Sequence, residues 1–479
     1  MDSEESSRYL IVRPEKGRFT DLFRYALLGA NVDHRRRWVI LVSILVLKLI
    51  ALFAIPMYWT GRFLDFFLNL ISLNGGSFFT LLHNFLHANV VLPERGSLTF
   101  VSTIGQLDAR VDLEKQPFKP QLGNRAALMD LCIMSSKLAY ENPLFIQNVV
   151  NLRWMMHFVA FYDCWNDFQK QMSTQLFILC DKPKDANLIL VSFRGTEPFD
   201  ADDWSTDFDY SWYEIPNVGK FHIGFLEALG LGNRDQPSTF YSNLPRKHTT
   251  NSQSGIDSDE DQSFMPQTPQ NKTAYDIVTS KLQSLLEEHK DAKFIVTGHS
   301  LGGALAILFP TVLVVNQEME MMEKLLGVYT FGQPRIGDRQ LGKFMEPHLV
   351  RPVPKYFRVV YCNDIVPRLP YDDKTFLYKH FGECLYYNSH YIEKNVKEEP
   401  NRNFFGMRFI LSQHLNAVWE LIRGLTMGYI QGAEYREGWF HILVRIIGLV
   451  FPGFSAHCPT EYVNSIRLGK ESSIHMSSI

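Results

Sequence analysis

The sequence predicts an α/β fold with a mostly parallel central sheet, and two observations support this prediction. The first is a set of short apolar runs with the composition of buried strands: Leu176 to Cys180, Leu188 to Phe193, Phe294 to Thr297 and Tyr356 to Tyr361. The second is the helical patterning between several of them, which is clearest at Tyr275 to His289. Strands that alternate with helices are typical of a parallel sheet, because each crossover has to pass over a face of the sheet.

The composition limits the classes of function. The chain has 479 residues, of which 46% are hydrophobic and 13% aromatic, enough for a large core and for two or three domains. Its formal net charge is −3, so no basic field indicates nucleic-acid binding. Its six cysteines form no CxxC pair and have no metal-ligand spacing with histidine, which favours reduced, buried thiols in a protein that faces the cytosol.

The N-terminal part differs in composition from the rest. Residues 1–37 are polar and end in the basic cluster His34 to Arg37, and residues 38–93 are apolar with few charges. This apolar part exceeds the roughly 20 residues that cross a bilayer core. We expect it to anchor the protein in a membrane or an oil-droplet monolayer. It either spans the membrane or forms a hairpin broken at Pro56 and Gly75-Gly76, with the N-terminus on the cytosolic side.

Two stretches of the predicted globular part, residues 94–479, depart from the alternation of strands and helices. Residues 233–272 are rich in Ser, Asn, Gln, Pro and Asp, which predicts a disordered surface insertion. Phe404 to Ile430 and Trp439 to Val450 are apolar helical patterns and predict a helical insertion at about 404–450. These helices are either ordinary packing helices, the interpretation we favour, or a second lipid-facing surface.

The residues that carry chemistry begin directly after the third predicted strand. Phe294 to Thr297 leads into Gly298-His299-Ser300-Leu301-Gly302, and a helix that starts with small residues follows. A Gly-x-Ser-x-Gly turn between a strand and a helix holds a serine hydroxyl exposed at the edge of the sheet, as in α/β-hydrolases. The sequence therefore predicts an α/β-hydrolase fold with Ser300 as the nucleophile.

A serine nucleophile needs a base and an acid that orients the base, and in this fold the acid precedes the histidine along the chain. Asp364 is the predicted acid, because it comes just after the strand Tyr356 to Tyr361. Competing acids in turn-like or charged surroundings are Asp338, Asp372 and Asp373. His457 is the predicted base because it lies in a loop that can reach the serine, and His390 is the second choice.

The reaction also needs two hydrogen-bond donors for the oxyanion. The backbone N–H of Leu301 is one candidate, and Thr196, which follows the strand Leu188 to Phe193, is the other. The aromatic segment 197–216 is either a lid that opens at a lipid interface or a packed surface helix. Three aspartates in this segment lack a ligand scaffold and indicate solvated charges rather than a metal site: Asp200, Asp202 and Asp203.

Five short motifs follow one another in an order that resembles a known family. They are Val191 to Thr196, Phe221 to Phe225, Val296 to Ala304, Thr330 to Gly337 and Asn363 to Pro367. Together they resemble the class 3 (fungal-type) triacylglycerol lipase family in its plant branch, over roughly residues 175–370. The resemblance implies a triad of Ser300, Asp364 and His457, and an oxyanion hole formed by Thr196 and Leu301.

The apolar N-terminal region and the insertion at 233–272 resemble the plant oil-body lipases in particular. That resemblance implies hydrolysis of acylglycerols on lipid droplets. We expect the catalytic domain to face the cytosol, and the predicted mechanism needs no cofactor. The apolar region equally suits the endoplasmic reticulum. One departure is the separation of 93 residues between Asp364 and His457, longer than expected for a compact fungal-type lipase. The helices at 404–450 account for it as an insertion.

Two alternative functions remain open on the sequence alone. The first is a phospholipase A1 or galactolipase that acts on membrane lipids, because nothing in the sequence fixes the head group. The second belongs to a different class, a non-catalytic lipase-like scaffold or a lipid-droplet coat protein. The complete set of candidate catalytic residues argues against the second.

Overall fold

The computed structural model describes residues 3–6, 8–12, 34–114, 125–245, 272–371, 378–404 and 406–471. Its strands are β1 Ser3–Ser6, β2 Tyr9–Val12, β3 His157–Asn166, β4 Gln171–Cys180, β5 Leu188–Phe193, β6 Trp212–Ile215, β7 Gly219–His222, β8 Lys293–His299, β9 Leu325–Phe331, β10 Tyr356–Tyr361, β11 Glu383–Tyr387, β12 Ile392–Val396 and β13 Lys470–Glu471. All four strands predicted from apolar runs are present, and β4 and β8 are longer than predicted because their polar ends also pair.

The α-helices are α1 His34–Leu73, α2 Phe78–Leu86, α3 Thr103–Leu107, α4 Arg125–Leu138, α5 Pro143–Asn148, α6 Ala201–Asp207, α7 Ile223–Leu229, α8 Ser238–Asn243, α9 Ala274–Glu288, α10 Leu301–Val315, α11 Met319–Lys324, α12 Arg339–Leu349, α13 Ile410–Ile430, α14 Trp439–Gly448, α15 Pro452–Ser455 and α16 Pro459–Leu468. A π-helical turn at Val149–Arg153 follows α5.

Within the described residues, the central sheet has nine strands in the order β13-β12-β11-β10-β9-β8-β5-β4-β3. The five central strands β5, β8, β9, β10 and β11 run parallel, and antiparallel pairs flank them. Strands β1, β2, β6 and β7 form a separate antiparallel sheet. The mostly parallel α/β-hydrolase architecture predicted from the sequence is confirmed.

Helices cover both faces of the central sheet. Successive residues of β5 point to opposite sides, so Ile189 and Val191 pack with α7, α9 and α10, whereas Leu188 and Leu190 pack with α4 and α16. Every residue of β5 is buried, as expected for a strand covered on both faces. This arrangement brings the carboxyl ends of β5, β8, β9 and β10 to one edge of the sheet, where the candidate site lies.

The N-terminal helix α1 is continuous over 40 residues. The predicted break at Pro56 is wrong: a proline removes one backbone hydrogen bond, and the apolar helix formers on either side keep the rest. The chain does turn at Gly75 and Gly76, which both have positive φ. The part Ile44–Leu73 is long and apolar enough to cross a membrane, and little of it is buried against the protein.

The described parts of the two predicted insertions refine their boundaries. Residues 246–271 of the first lie outside the described residues, but 233–245 are ordered, so the prediction of disorder is wrong there. Phe240 of α8 anchors this part in the core, and Asn233 bonds the Asp167 side chain. In the second insertion the long helix begins at Ile410 rather than Phe404, because Phe404 has a positive φ and bonds Asn401.

Candidate active site

Ser300 lies in a sharp turn between β8 and α10. Its backbone has φ +57° and ψ −131°, a strained conformation for a residue with a side chain. The turn is closed so tightly that a Cβ atom on Gly298 would collide with the backbone of Gly302. This contact explains why the Gly-x-Ser-x-Gly pattern needs its first glycine. The turn places Ser300 at the carboxyl end of β8 and at the N-terminus of a fully buried helix.

The structure brings Ser300, His457 and Asp364 into one hydrogen-bonded chain. His457 Nε2 lies 2.8 Å from Ser300 Oγ, and His457 Nδ1 lies 2.8 Å from Asp364 Oδ2. Because a carboxylate only accepts, we assign the proton of the neutral imidazole to Nδ1, which leaves Nε2 to accept from the Ser300 hydroxyl. The three residues predicted as the triad therefore meet in the geometry that nucleophilic catalysis requires.

Asp364 is fully buried and held from several sides. Its Oδ1 accepts the backbone N–H of Val366 at 2.9 Å, and its Oδ2 accepts the hydroxyl of Tyr462 as well as His457. Gly332 lies so close that a Cβ atom there would come within 2.9 Å of Asp364, His457 and Tyr462. Sequence reasoning missed Tyr462 and Gly332, although Gly332 belongs to one of the five motifs.

A buried histidine fixes the backbone of the candidate base. His299, adjacent to Ser300, bonds the carbonyl oxygen of His457 through Nε2 at 2.9 Å and the Tyr140 hydroxyl through Nδ1 at 2.9 Å. Since a carbonyl only accepts, Nε2 carries the proton and Nδ1 accepts from Tyr140. Burial lowers the pKa of His299 well below its usual value, which keeps this tautomer neutral. Sequence reasoning missed this pair, because Tyr140 lies 159 residues from His299.

The candidate oxyanion donors lie side by side. A Cβ atom on Gly302 would collide with Phe193 and Arg194, so the turn after β5 packs directly against the start of α10. In the described part of the chain, no hydrogen-bond acceptor faces the backbone N–H groups of Thr196 and Leu301. The Thr196 hydroxyl donates to Asp207 Oδ2 at 2.8 Å. The hydroxyl of Thr196 therefore anchors the turn, and the oxyanion role of its N–H stays a prediction.

Buried charges hold this turn in place. Arg194 bonds the Gln175 side chain at 2.6 Å and the Ser173 carbonyl at 3.2 Å, and it pairs with Glu197. Burial raises the pKa of Asp207 to about 7, and the bond from Thr196 opposes that rise. Asp207 was missed from the sequence, where it is one of several aspartates in the segment.

The other candidates from the sequence have different roles. The His390 ring stacks on Trp419 with ring centroids 5.1 Å apart, and its Nδ1 bonds the Ser389 hydroxyl, while the His390 backbone N–H donates to the Asn388 side chain. Asp338 caps α12 through Leu341, and Asp372 and Asp373 lie outside the described residues. Asp200 caps α6 by accepting the N–H groups of Asp202 and Asp203, while Asp203 also accepts the N–H of Glu197.

The segment 197–216 consists of two unlike halves. Residues 197–208 contain the short helix α6 and contact the anchor helix α1, where Gly61 approaches Phe199 closely. The second half enters the small sheet as β6, and its aromatic side chains Tyr210, Trp212 and Tyr213 are buried. Ser300 is only 3% exposed, so a lipid needs movement of a covering segment to reach it. The first half is tied to the oxyanion turn through Glu197 and Asp207, and its role as a lid stays a prediction.

The fold and this arrangement of side chains are those of a serine ester hydrolase. The family model described as Lipase (class 3) matches residues 190–374, which include Thr196, Ser300 and Asp364. Proteins named "Triacylglycerol lipase OBL1" are similar over most of the chain. The relative from Nicotiana tabacum is 60% identical, over 94% of this chain and 86% of its own length. The one from Arabidopsis thaliana is 56% identical, over 99% and 97%.

A third relative of the same name, from Ricinus communis, is 44% identical over 99% of this chain and 97% of its own length. This chain belongs to the class 3 lipase family. More distant similarity extends to a protein named "Phospholipase A1-IIalpha" from Arabidopsis thaliana, which is 26% identical over 47% of both chains.

The six cysteines are all buried and unpaired, in agreement with the expectation of reduced thiols.

Proposed function

We propose that this protein hydrolyses triacylglycerols, with Ser300 as the nucleophile, His457 as the base and Asp364 as the acid that orients it. One observation carries the proposal: the continuous chain of hydrogen bonds from Asp364 through His457 to Ser300, with both links at 2.8 Å. The substrate class is supported by the relatives named triacylglycerol lipase, which match nearly the full length of the chain.

In the first half-reaction, Ser300 Oγ attacks the ester carbonyl carbon as His457 Nε2 takes the hydroxyl proton. A bond forms between Oγ and the carbonyl carbon, and the oxygen becomes an oxyanion that accepts from the N–H groups of Thr196 and Leu301. The ester C–O bond then breaks, and the leaving glycerol oxygen takes the proton from Nε2. Asp364 stabilises the imidazolium that exists between these two proton transfers.

In the second half-reaction, His457 Nε2 takes a proton from water, which attacks the carbonyl carbon of the acyl-serine. The same two N–H groups stabilise the second oxyanion. The bond between Ser300 Oγ and the acyl carbon breaks, Oγ regains its proton from Nε2, and a fatty acid leaves. Within this scheme no cofactor is required, because every proton moves between Ser300, His457, water and the substrate.

We further propose that the protein acts at a lipid-droplet surface, with its catalytic body on the cytosolic side. The exposed apolar part of α1, Ile44–Leu73, supports association with lipid. The basic residues Arg35 to Arg37 at the start of α1 favour a cytosolic N-terminus. The endoplasmic reticulum is the alternative location, and fluorescence imaging of the tagged full-length chain against markers of both compartments distinguishes them.

Hydrolysis of emulsified triolein by the wild type and by Ser300→Ala tests the proposed function. We expect fatty-acid release from the wild type and a loss on the order of 10⁴-fold or more in Ser300→Ala. Labelling with a fluorophosphonate probe serves as a second readout, since it modifies an activated serine whatever the lipid preference. Absence of both hydrolysis and labelling in a folded wild type would contradict the proposal and favour a non-catalytic scaffold or coat protein.

Phosphatidylcholine is the substrate that tests the second candidate function, a phospholipase A1. This candidate rests on the distant relatives named phospholipase A1. We expect emulsified triolein to be hydrolysed faster than phosphatidylcholine vesicles when both are presented at equal surface area. Faster hydrolysis of phosphatidylcholine would leave the proposed mechanism unchanged and assign a phospholipid as the substrate.

A further inference from the structure

The two long helices of the insertion at about 404–450 have their polar and apolar sides exchanged. In α13 one stripe, spaced three or four residues apart, is buried: Gln413, Ala417, Glu420, Gly424 and Met427. The opposite stripe, at the same spacing, is exposed: Leu411, Leu415, Val418, Ile422, Leu425 and Tyr429. A helix at the surface of a water-soluble protein has the opposite arrangement, with apolar residues inside.

The buried side of this helix pair is held by charges. Glu461 of α16 is fully buried and accepts from Arg423 of α13 at 2.7 Å and from Arg445 of α14. Arg445 also pairs with Glu437, and Glu420 accepts the Tyr361 hydroxyl at 3.0 Å. Both carboxylates near His441 thus pair with Arg445. These contacts form a buried ion-pair network, as in a protein interior, rather than a solvated surface.

The outward side of the pair carries no charge. Glu420 and Arg423 are the only Asp, Glu, Lys or Arg residues in α13, Arg445 is the only one in α14, and all three are buried. We call the outward side the outer face and define it by Leu411, Leu415, Ile422, Leu425, Leu443 and Ile446, which are 44–72% exposed. No residue in the described part of the chain covers them. An apolar surface this extended marks a site of contact with another molecule or with lipid.

The outer face lies close along the chain to the candidate active site. The helix α14 is followed directly by Val450, Phe451 and Phe454, all exposed, and three residues after Phe454 the chain reaches His457. On its inner side, Val444 of α14 packs in one cluster with residues of α3, and α3 contacts the anchor helix α1. The helices of the outer face are therefore linked to the anchor helix through α3 and precede the candidate base His457 in the chain.

We propose that the outer face docks, in the plane of the surface, into the phospholipid monolayer of a neutral-lipid droplet. This inference rests on the proposed function, because the droplet holds the substrate. The helices cannot span a bilayer, since their other side is charged and packed on the enzyme. The absence of outward Lys and Arg removes attraction to anionic membranes, and large apolar side chains suit the packing defects of a monolayer over oil.

Substitution of the outer face tests the proposal in the full-length chain. The triple variant Leu411→Glu, Leu415→Glu and Leu425→Glu places three charges where acyl chains would lie. We expect triolein hydrolysis to fall at least ten-fold and hydrolysis of the water-soluble ester p-nitrophenyl butyrate to change less than two-fold. Equal losses on both esters would show a folding defect, and unchanged triolein hydrolysis would overturn the proposal.

The matched control carries three glutamates at exposed apolar positions, away from the edge of the sheet where the candidate active site lies. Leu152, Met319 and Val353 are 67%, 42% and 66% exposed, and Met319 and Val353 lie just before the amino ends of β9 and β10. The variant Leu152→Glu, Met319→Glu and Val353→Glu should retain both activities within two-fold. A ten-fold loss of triolein hydrolysis in the control as well would show that added charge, not the outer face, causes the effect.

A spectroscopic measurement decides the proposal even if the triple variant does not fold or triolein is not the substrate. Because all six native cysteines are buried, an environment-sensitive nitrobenzoxadiazole dye can be attached selectively to Leu415→Cys, with Val353→Cys as the control. We expect the emission of the dye at position 415 alone to shift to shorter wavelength on triolein droplets coated with phosphatidylcholine. No shift, or a shift that depends on protein concentration without lipid, would overturn the proposal, the latter in favour of a second copy of the chain. An equal shift on phosphatidylcholine vesicles without triolein would show that the outer face docks into a bilayer and would overturn the assignment to a droplet monolayer.

Discussion

Helices α10 and α13 are both rich in apolar residues, yet they have opposite surroundings. All residues of α10, Leu301–Val315, are buried beneath the sheet behind Ser300. In α13, Ile410–Ile430, the charged residues are buried and most of the large apolar ones are exposed. Hydrophobicity along the sequence shows that a residue avoids water, but it does not show whether protein or lipid replaces the water.

The surroundings of the oxyanion turn and the helical insertion at about 404–450 also differ in their buried carboxyl groups. Near the oxyanion turn, burial raises the pKa of Asp207 to about 7, and burial likewise raises that of Glu141 to about 7. In the insertion, burial alone would raise the pKa of Glu461, but Arg423 and Arg445 overcome it and hold the pKa well below its usual value. Asp207 and Glu141 therefore favour the protonated form, whereas in the insertion Glu461 is held ionised and burial together with Glu461 raises the pKa of Glu420.

The largest effect is expected from His457, which follows the insertion in the sequence and bonds Ser300. His457→Ala should lower triolein hydrolysis on the order of 10⁴-fold, because neither Ser300 deprotonation nor leaving-group protonation then has a partner. The control His390→Ala removes a histidine stacked on Trp419 and should stay within two-fold. Initial rates on emulsified triolein give the comparison. Similar losses in both variants would show that the structure does not identify the base.

Removal of a charge from the insertion should destabilise the protein without touching the candidate triad. Arg445→Met leaves Glu437 and Glu461 buried without their shared partner, at a cost of about 3–5 kcal/mol in the free energy of unfolding. The exposed pair of Arg351 and Glu346 provides the control, and Arg351→Met should cost no more than about 1 kcal/mol. Denaturant unfolding in detergent measures both. Equal stabilities would mean that the buried network does not hold the insertion.

A smaller effect is expected at the oxyanion turn. Thr196→Val keeps the backbone N–H but leaves a buried oxygen of Asp207 without its donor, which costs about 1–3 kcal/mol. We expect kcat on p-nitrophenyl butyrate to fall about 10- to 100-fold, less than the effect of losing the N–H donor itself. Thr196→Ser retains the hydroxyl and should recover most of the rate. If Ser and Val behave alike, the bond to Asp207 does not position the turn.

The smallest effect is the dependence of stability on pH. The folded protein retains protons on Asp207 and Glu141 up to about pH 7, whereas the unfolded chain releases them near pH 4. Their contribution is therefore fully present below about pH 4 and is lost as the pH rises through 7. We expect Tm to fall by roughly 2–6 °C between pH 6 and pH 8. The decrease should be smaller in Asp207→Asn, and a Tm that rises over this range would contradict the assignment.

Local signals explain which parts of the fold and site the sequence could predict. The turn around Ser300 needs its glycines within two residues, and Asp364 follows a strand in which Arg358 is the one charged residue, so both follow from short stretches of sequence. His457 was correctly placed in a loop, and the structure joins it to Ser300 across 157 residues. Such signals do not depend on what packs against them.

The features that were missed depend on distant parts of the chain. Tyr140 reaches His299 from the helix α4 side of the sheet, and Tyr462 reaches Asp364 from α16. Neither tyrosine has a local pattern that distinguishes it from a core residue. The preference for ordinary packing of α13 and α14 was half correct, since their inner sides do pack, through charges that no hydrophobic pattern could reveal.

The order of residues 410–468 has a consequence for how enzymes of this kind can be recombined. This single run contains the outer face and the buried ion-pair network of Arg423, Arg445 and Glu461. It also contains the candidate base His457 and Tyr462, which bonds Asp364. An exchange of this run between two relatives would transfer the lipid-facing helices and the base as one inherited unit. The recipient would keep its own nucleophile and acid, so a chimera tests directly whether interface preference travels with the base.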